Sequence, residues 1–199
     1  MAAACSAHAQ SEAMLSFVGT TSDTFSPIYS DQPGPVGWTF TPQTDISITA
    51  LGAFAYCLPH NGLEVGLWNS SGTLLASNTI TAAGLSVGQS YYKSITPVDL
   101  MAGQTYFLGA YSPAGSFQSI AVNPGDGASD GYATTSPEIQ LDQAAYVNNL
   151  AFEFPSTTEG SPGSAIVVPN FEFEPVPEPS ALCLFGAGAL GLLARRRQS

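Results

Sequence analysis

The chain has 199 residues, among them 15 acids, four Lys or Arg and two His, for a net charge of −11. Arg195, Arg196 and Arg197 are three of the four basic residues, so the chain before them carries fifteen acids against Lys93 alone, about −14. Nucleic acid and anionic lipid are therefore poor partners, since phosphate binding needs clustered Lys and Arg, while a hydrophobic content of 44% suffices for a packed core.

Residues 1–9 read MAAACSAHA, and Ala7-His8-Ala9 fits the small-x-small rule for signal-peptide cleavage, with a cut before Gln10. No basic region or long apolar run precedes it. The expectation is the back end of a secretory signal whose translation starts upstream. Cys5 falls in that signal and Cys183 in the apolar tail, which leaves Cys57 without an intrachain disulfide partner.

From Gln10 to Phe173 the chain reads as one exported domain. Short runs rich in Val, Ile, Phe, Tyr and Thr recur between Gly, Pro, Asn and Ser, with no helical pattern beyond two turns. The expected strands are 14–18, 37–40, 46–55, 63–69, 73–80, 91–95, 105–111, 117–122 and 150–154, with one more over 166–173. Leu63, Val65 and Leu67 alternate with Glu64, Gly66 and Trp68, the period of a strand with one face buried. Asn69-Ser70-Ser71-Gly72 supplies turn chemistry into the next run, so a hairpin is expected there. Pro97 and Gly103 bracket a short edge segment, and 157–169, rich in Ser, Gly and Pro, reads as loop or linker. The fold class that follows is all-β, a single antiparallel sandwich of jelly-roll type.

Chemistry is sparse along this domain. Cys57 and His60 stand in a C-x-x-H spacing, but a zinc site needs three or four ligands and no second pair exists. Trp38, Trp68, Tyr91, Tyr92 and Tyr111 are candidate platforms for sugar rings, or else core residues. Asp126 and Asp130 lie in an Asn/Gly/Asp-rich loop as hard oxygen donors of the kind Ca²⁺ prefers. That loop is either a solvated turn or a calcium-stabilised one; no other cofactor is expected.

The tail is the most specific segment. Val176-Pro177-Glu178-Pro179 precedes an uncharged apolar run over 180–194 and then Arg195, Arg196 and Arg197. Fifteen helical residues span about 22 Å, short for a bilayer core of about 30 Å. Three arginines hold that end in the cytoplasm, which places the domain on the far side.

Motif, glycine- and leucine-rich run and Arg cluster together resemble the PEP-CTERM sorting domain, a tail sometimes named after ice-binding proteins. The resemblance implies export by a Gram-negative bacterium and recognition by an exosortase. Val176, Pro177, Glu178 and Pro179 correspond to the sorting motif, and Arg195 to Arg197 to the cytoplasmic stop. Gly37-Trp38-Thr39-Phe40, the run from Val65 to Ser77 and Pro169-Asn170-Phe171 are similar to a secreted bacterial β-sandwich domain of unknown function. That likeness implies architecture, not activity.

The expected organisation is a signal remnant at 1–9, a sandwich at 10–173 and a sorting tail at 174–199, ending in a single hydrophobic helix. The expected protein is a non-enzymatic surface or matrix protein, sorted by an exosortase and held transiently in the membrane by its helix. A carbohydrate-binding module acting on exopolysaccharide and a carboxylate-dependent hydrolase are the two alternatives.

Overall fold

The computed structural model describes residues 10–18, 28–30, 34–87, 89–113, 117–122, 132–160 and 162–177. Its strands, in chain order, begin with β1 (Ser11–Glu12), β2 (Met14–Val18), β3 (Ile28–Ser30), β4 (Val36–Pro42) and β5 (Ile46–Phe54). They continue through β6 (Leu63–Asn69), β7 (Leu74–Ile80), β8 (Leu85–Val87), β9 (Ser90–Leu100), β10 (Tyr106–Tyr111) and β11 (Phe117–Val122). The last are β12 (Tyr132–Thr135), β13 (Ile139–Tyr146), β14 (Thr157–Glu159), β15 (Ala165–Val167) and β16 (Pro169–Pro175). One 3₁₀ turn, Ala55–Cys57, follows β5.

The chain is all-β. One sheet has the order β1-β16-β5-β9-β8 and the other β14-β13-β4-β10-β6-β7, neither closed on itself, with two small sheets β15-β11-β3 and β12-β2 alongside. Every pairing is antiparallel. The two large sheets face one another across an aromatic core. Trp38 and Phe40 of β4 meet Phe171 of β16 at ring-centroid distances of 5.9 and 4.8 Å. Leu67, Leu108, Ile48, Leu51 and Phe173 complete the layer, each without solvent exposure. The alternation read over 63–69 is correct, for Leu63, Val65 and Leu67 all point into this core.

The opposite face of the six-stranded sheet is also covered. Gly37, Gly109 and Gly66 sit side by side on β4, β10 and β6. Their missing side chains leave a trough that Trp68 fills from β6. A Cβ on Gly66 would lie 2.3 Å from the Trp68 ring and 2.6 Å from Phe152. Phe152 and Phe154 pack on Trp68 with centroids 5.2 and 6.5 Å away, and Phe154 meets Phe107 edge-on at 4.7 Å. The run over 150–154, expected as a strand, is instead a strap over this trough. Its aromatics find partners on the sheet face rather than in a ladder.

Three further expectations change. The run over 166–173 divides at Val168: β15 joins β11, and β16 joins β5. The Ser/Gly/Pro-rich stretch 157–169 is not a linker, since it holds β14 and β15. Pro97 lies inside the eleven-residue β9 rather than at an edge segment, because the ladder to β5 shifts register between Ile48 and Ala50; a bulge accommodates a residue without a donor. The Asn69 hairpin is present. Asn69 Oδ1 accepts from the Ser71 and Thr73 N–H groups at 3.1 and 2.9 Å, and Gly72 takes φ +81°, which only glycine adopts freely.

Candidate functional site at the C-terminal strand

β16 begins in the core and ends at the sorting motif. Trp38 Nε1 donates to the Pro169 carbonyl at 2.9 Å at its buried end. At the other end Pro175 pairs with Ile46, and Val176 N–H still donates to the Asp45 carbonyl at 2.9 Å. The sorting tail, expected to begin at Glu174, is therefore still sheet through Pro175. Asp45 is itself held, its Oδ1 accepting from Ala102 N–H at 2.8 Å. Neighbouring N–H groups of a strand point to opposite sides. Val176 donates toward β5, so Pro175 and Pro177 bring their missing donors to the other side. There β1 starts only at Ser11, which lies across from Phe173. Prolines suit an edge that has no ladder partner among the described residues.

Gln10, the first residue after the expected signal cut, is pinned at this corner. Its Nε2 donates to Thr49 Oγ1 at 2.7 Å, and Thr49 Oγ1 donates to the Glu172 carbonyl at 3.3 Å.

The centre of β16 is organised by Asn170, which is fully buried. Its Oδ1 accepts from Met14 N–H at 3.0 Å and Phe171 N–H at 2.9 Å. Its Nδ2 donates to the Met14 carbonyl at 3.0 Å, the Tyr92 hydroxyl at 2.6 Å and Ser90 Oγ at 3.4 Å. The Tyr92 ring occupies the space that a Cβ on Gly52 would need, 2.3 Å away. Burial pushes the Tyr92 hydroxyl well up, and the charges of Glu12 and Glu172 add to this. The sequence marks Asn170 only within the resembling Pro169-Asn170-Phe171 run and gives no role to Asn170, Asp45 or Gly52. The signal for Asn170 is the alternation Asn170, Glu172, Glu174 against Phe171 and Phe173, which sets one polar row on an otherwise apolar strand.

Glu12 and Glu172 stand directly across from each other on β1 and β16. Burial raises both carboxyls above their ordinary 4.5, and for Glu12 the charge of Glu172 adds to it. Glu12 Oε1 is buried without a hydrogen-bond partner. A carboxyl whose pKa is raised by folding binds its proton more tightly in the native state. The pair's contribution is thus fully present below the ordinary carboxylate range and is lost as pH rises through the raised values. Thermal unfolding followed by circular dichroism from pH 4 to 8 should show this loss, and Glu12→Gln should flatten it and raise the midpoint at pH 7. A Gln variant with an unchanged pH profile would show that the pair is not responsible.

The other sequence-derived sites fall as follows. Trp38 is fully buried and Trp68 only 3% exposed, so neither offers a ring face to sugar: one is core, the other trough. Tyr111 is half-buried, and its hydroxyl donates to the Leu150 carbonyl at 3.1 Å. Cys57 is buried, its thiol pushed up to about 12 by burial, while His60 is exposed in the following turn. The two do not form a shared site. Among the described residues, no group of three or more His, Cys, Asp or Glu is arranged to hold a metal. Asp126, Asp130, Ala7, Ala9, Glu178, Pro179, the 180–194 run and Arg195 to Arg197 lie outside the described residues. Among the described residues no helix is long and apolar enough to cross a membrane.

Residues 21–161 match the family described as Domain of unknown function (DUF4082). The chain belongs to the DUF4082 family. Residues 175–198 match the PEP-CTERM protein-sorting motif, which marks a chain for export, exosortase processing and sorting to the cell surface. No curated protein matches the chain. The DUF4082 match stops short of β15 and β16, yet Phe171 and Phe173 of β16 lie in the core. The folded unit therefore runs past the DUF4082 match and up to the first residue of the sorting motif.

Proposed function

We propose that this protein is a non-enzymatic surface or matrix protein of a Gram-negative cell, delivered as a complete jelly-roll-like sandwich and released or anchored through its tail by an exosortase. The observation that supports this reading is the meeting of a finished core and a matched sorting motif within one strand, β16. On this reading, residues 180–194 insert as a helix, Arg195 to Arg197 stay in the cytoplasm, and a signal peptide ending at Ala9 is removed first. With both tryptophans and Tyr92 inside, the sugar-binding alternative rests on the partly buried Tyr91 and Tyr111.

In the native host, intact mass and cell fractionation should find a product that lacks the Arg cluster and lies beyond the inner membrane. The variant Pro177→Ala/Glu178→Ala/Pro179→Ala should stay uncut in the inner membrane. A wild-type chain that keeps its arginines would make this an ordinary tail-anchored domain.

A further inference from the structure

We infer that the outer face of the six-stranded sheet, beside the strap, binds a neutral polysaccharide. Phe107 and Phe154 supply the stacking platform, and Thr41, Gln140 and Asp142 the row that holds sugar hydroxyls. This goes beyond the sorting reading and does not depend on it.

Trp38 and Phe40 enter the core, so Thr39 and Thr41, which alternate with them, stand on the outer face. Phe107 lies across from Thr39, and Gln140 across from Thr41, which sets all four on that face. The strap covers the glycine trough and stops at this point. Phe154 meets Phe107 edge-on at 4.7 Å, and both rings are half-buried rather than closed off. One strand repeat away, about 7 Å, Thr41 is half-buried and Gln43 and Gln140 are exposed. A bulge in the ladder between Leu141 and Ala144 brings Asp142 into the same row, as bulges re-aim side chains beside binding sites.

This row is ordered by its own hydrogen bonds. Thr41 Oγ1 and Gln140 Nε2 donate to Asp142 Oδ2 and Oδ1, each at 2.8 Å. Gln43 Nε2 donates to the Thr41 carbonyl at 3.1 Å and to Gln140 Oε1 at 3.4 Å. A carboxylate can accept about four hydrogen bonds, so each oxygen of Asp142 keeps an acceptor site. The Thr41 hydroxyl can still accept, and Gln140 has one more N–H to give. Acceptors and a donor in fixed directions beside an aromatic pair match a sugar ring, which has C–H faces and a rim of hydroxyls. Side chains already held in place lose little freedom on binding, which favours affinity.

Charge selects a neutral polymer. Asp142 is on the face and Glu159 is on the adjoining β14. Lys93, the one Lys or Arg among the described residues, lies on β9 of the other sheet. A chain of uronates would meet like charge here with no cation to offset it.

The test is affinity electrophoresis of the full-length chain in non-ionic detergent, through native gels containing hydroxyethyl cellulose, dextran, galactomannan or alginate. At least one of the three neutral polymers should retard the wild type, and alginate should not. A hydrogen bond to a charged group is worth about tenfold or more in affinity. Gln140→Ala/Asp142→Ala should therefore weaken the retardation at least about tenfold with its melting midpoint unchanged, and Phe107→Leu should weaken it as well. Should Phe107→Leu fail to fold, the double variant decides, since its side chains lie outside the core. No retardation by any of the neutral polymers overturns the inference. Retardation that the double variant keeps also overturns it, because the contact then lies elsewhere, and so does alginate binding that exceeds the neutral polymers. Tail processing plays no part in this readout, so failure here leaves the sorting reading intact.

Discussion

A chain ended at residue 161, where the DUF4082 match stops, is expected not to fold. It lacks β15 and β16, and with them Val167, Val168, Phe171 and Phe173, all fully buried. Removing one buried Phe side chain from a core typically costs about 3–5 kcal/mol, and a domain of this kind has about 5–15 kcal/mol in total. Two phenylalanines alone consume most of that range. The loss also strips β5 of its neighbour along Ile46 to Ala53 and leaves the Trp38 N–H without the Pro169 carbonyl. Circular dichroism and heteronuclear NMR of chains 10–161 and 10–177 should give a collapsed or insoluble product for the first and a dispersed, cooperative one for the second. A folded 10–161 chain would show that β16 is an accessory to the sandwich.

The second large effect is expected at Asn170. Alanine there leaves the Met14 N–H, the Met14 carbonyl, the Phe171 N–H and the Tyr92 hydroxyl without a partner they now have, in a site closed to water. Each buried polar group left unpaired costs about 1–3 kcal/mol; allowing for relaxation, a loss of about 4 kcal/mol is expected. In a domain of this size that lowers the melting midpoint by roughly 8–16 °C. Tyr92→Phe removes one partner and leaves the rest of the hub, so it should cost far less. Equal losses in the two variants would mean that the tyrosine, rather than the amide, organises the site. Because Asn170 ties β2 and β9 to β16, amide exchange should quicken in all three strands together.

Much of this was legible in the sequence. The strands over 14–18, 63–69 and 117–122 match their expected limits, and the others read in advance shift by a few residues, except the strap at 150–154, the division at Val168 and β9, which runs on to Leu100. Alternation sufficed at 63–69 because one face is pure Leu and Val. It failed at 150–154, where Phe152 and Phe154 alternate as a strand does but take their partners from the glycine trough. Nothing local in Gly37, Gly66 and Gly109 reveals that they align, since register between distant strands is set by the whole sheet. The same reason hid the two tryptophans: Trp68 sits on the polar side of its strand's alternation and is buried by a segment more than eighty residues on. The strands 132–135 and 139–146 went unread because Thr, Gln and Ala dominate them, and their pairing comes from neighbours rather than propensity. The sorting corner was legible as a motif, but not as sheet: prolines argue for an extended spacer, and only the bond from Val176 to Asp45 shows that the chain is still paired.

The alternating prolines at that corner have a consequence for crowding. Proteins tethered by their tails share a surface and meet repeatedly in similar orientations, which favours strand-to-strand stitching between copies. On the side away from β5 this stretch of β16 presents carbonyls but, at Pro175 and Pro177, no N–H. A second copy brought alongside offers the same acceptors and the same want of donors, so two such edges have nothing to exchange. Among the described residues, this end of β16 therefore gives a second copy no donor at Pro175 or Pro177 for strand-to-strand pairing.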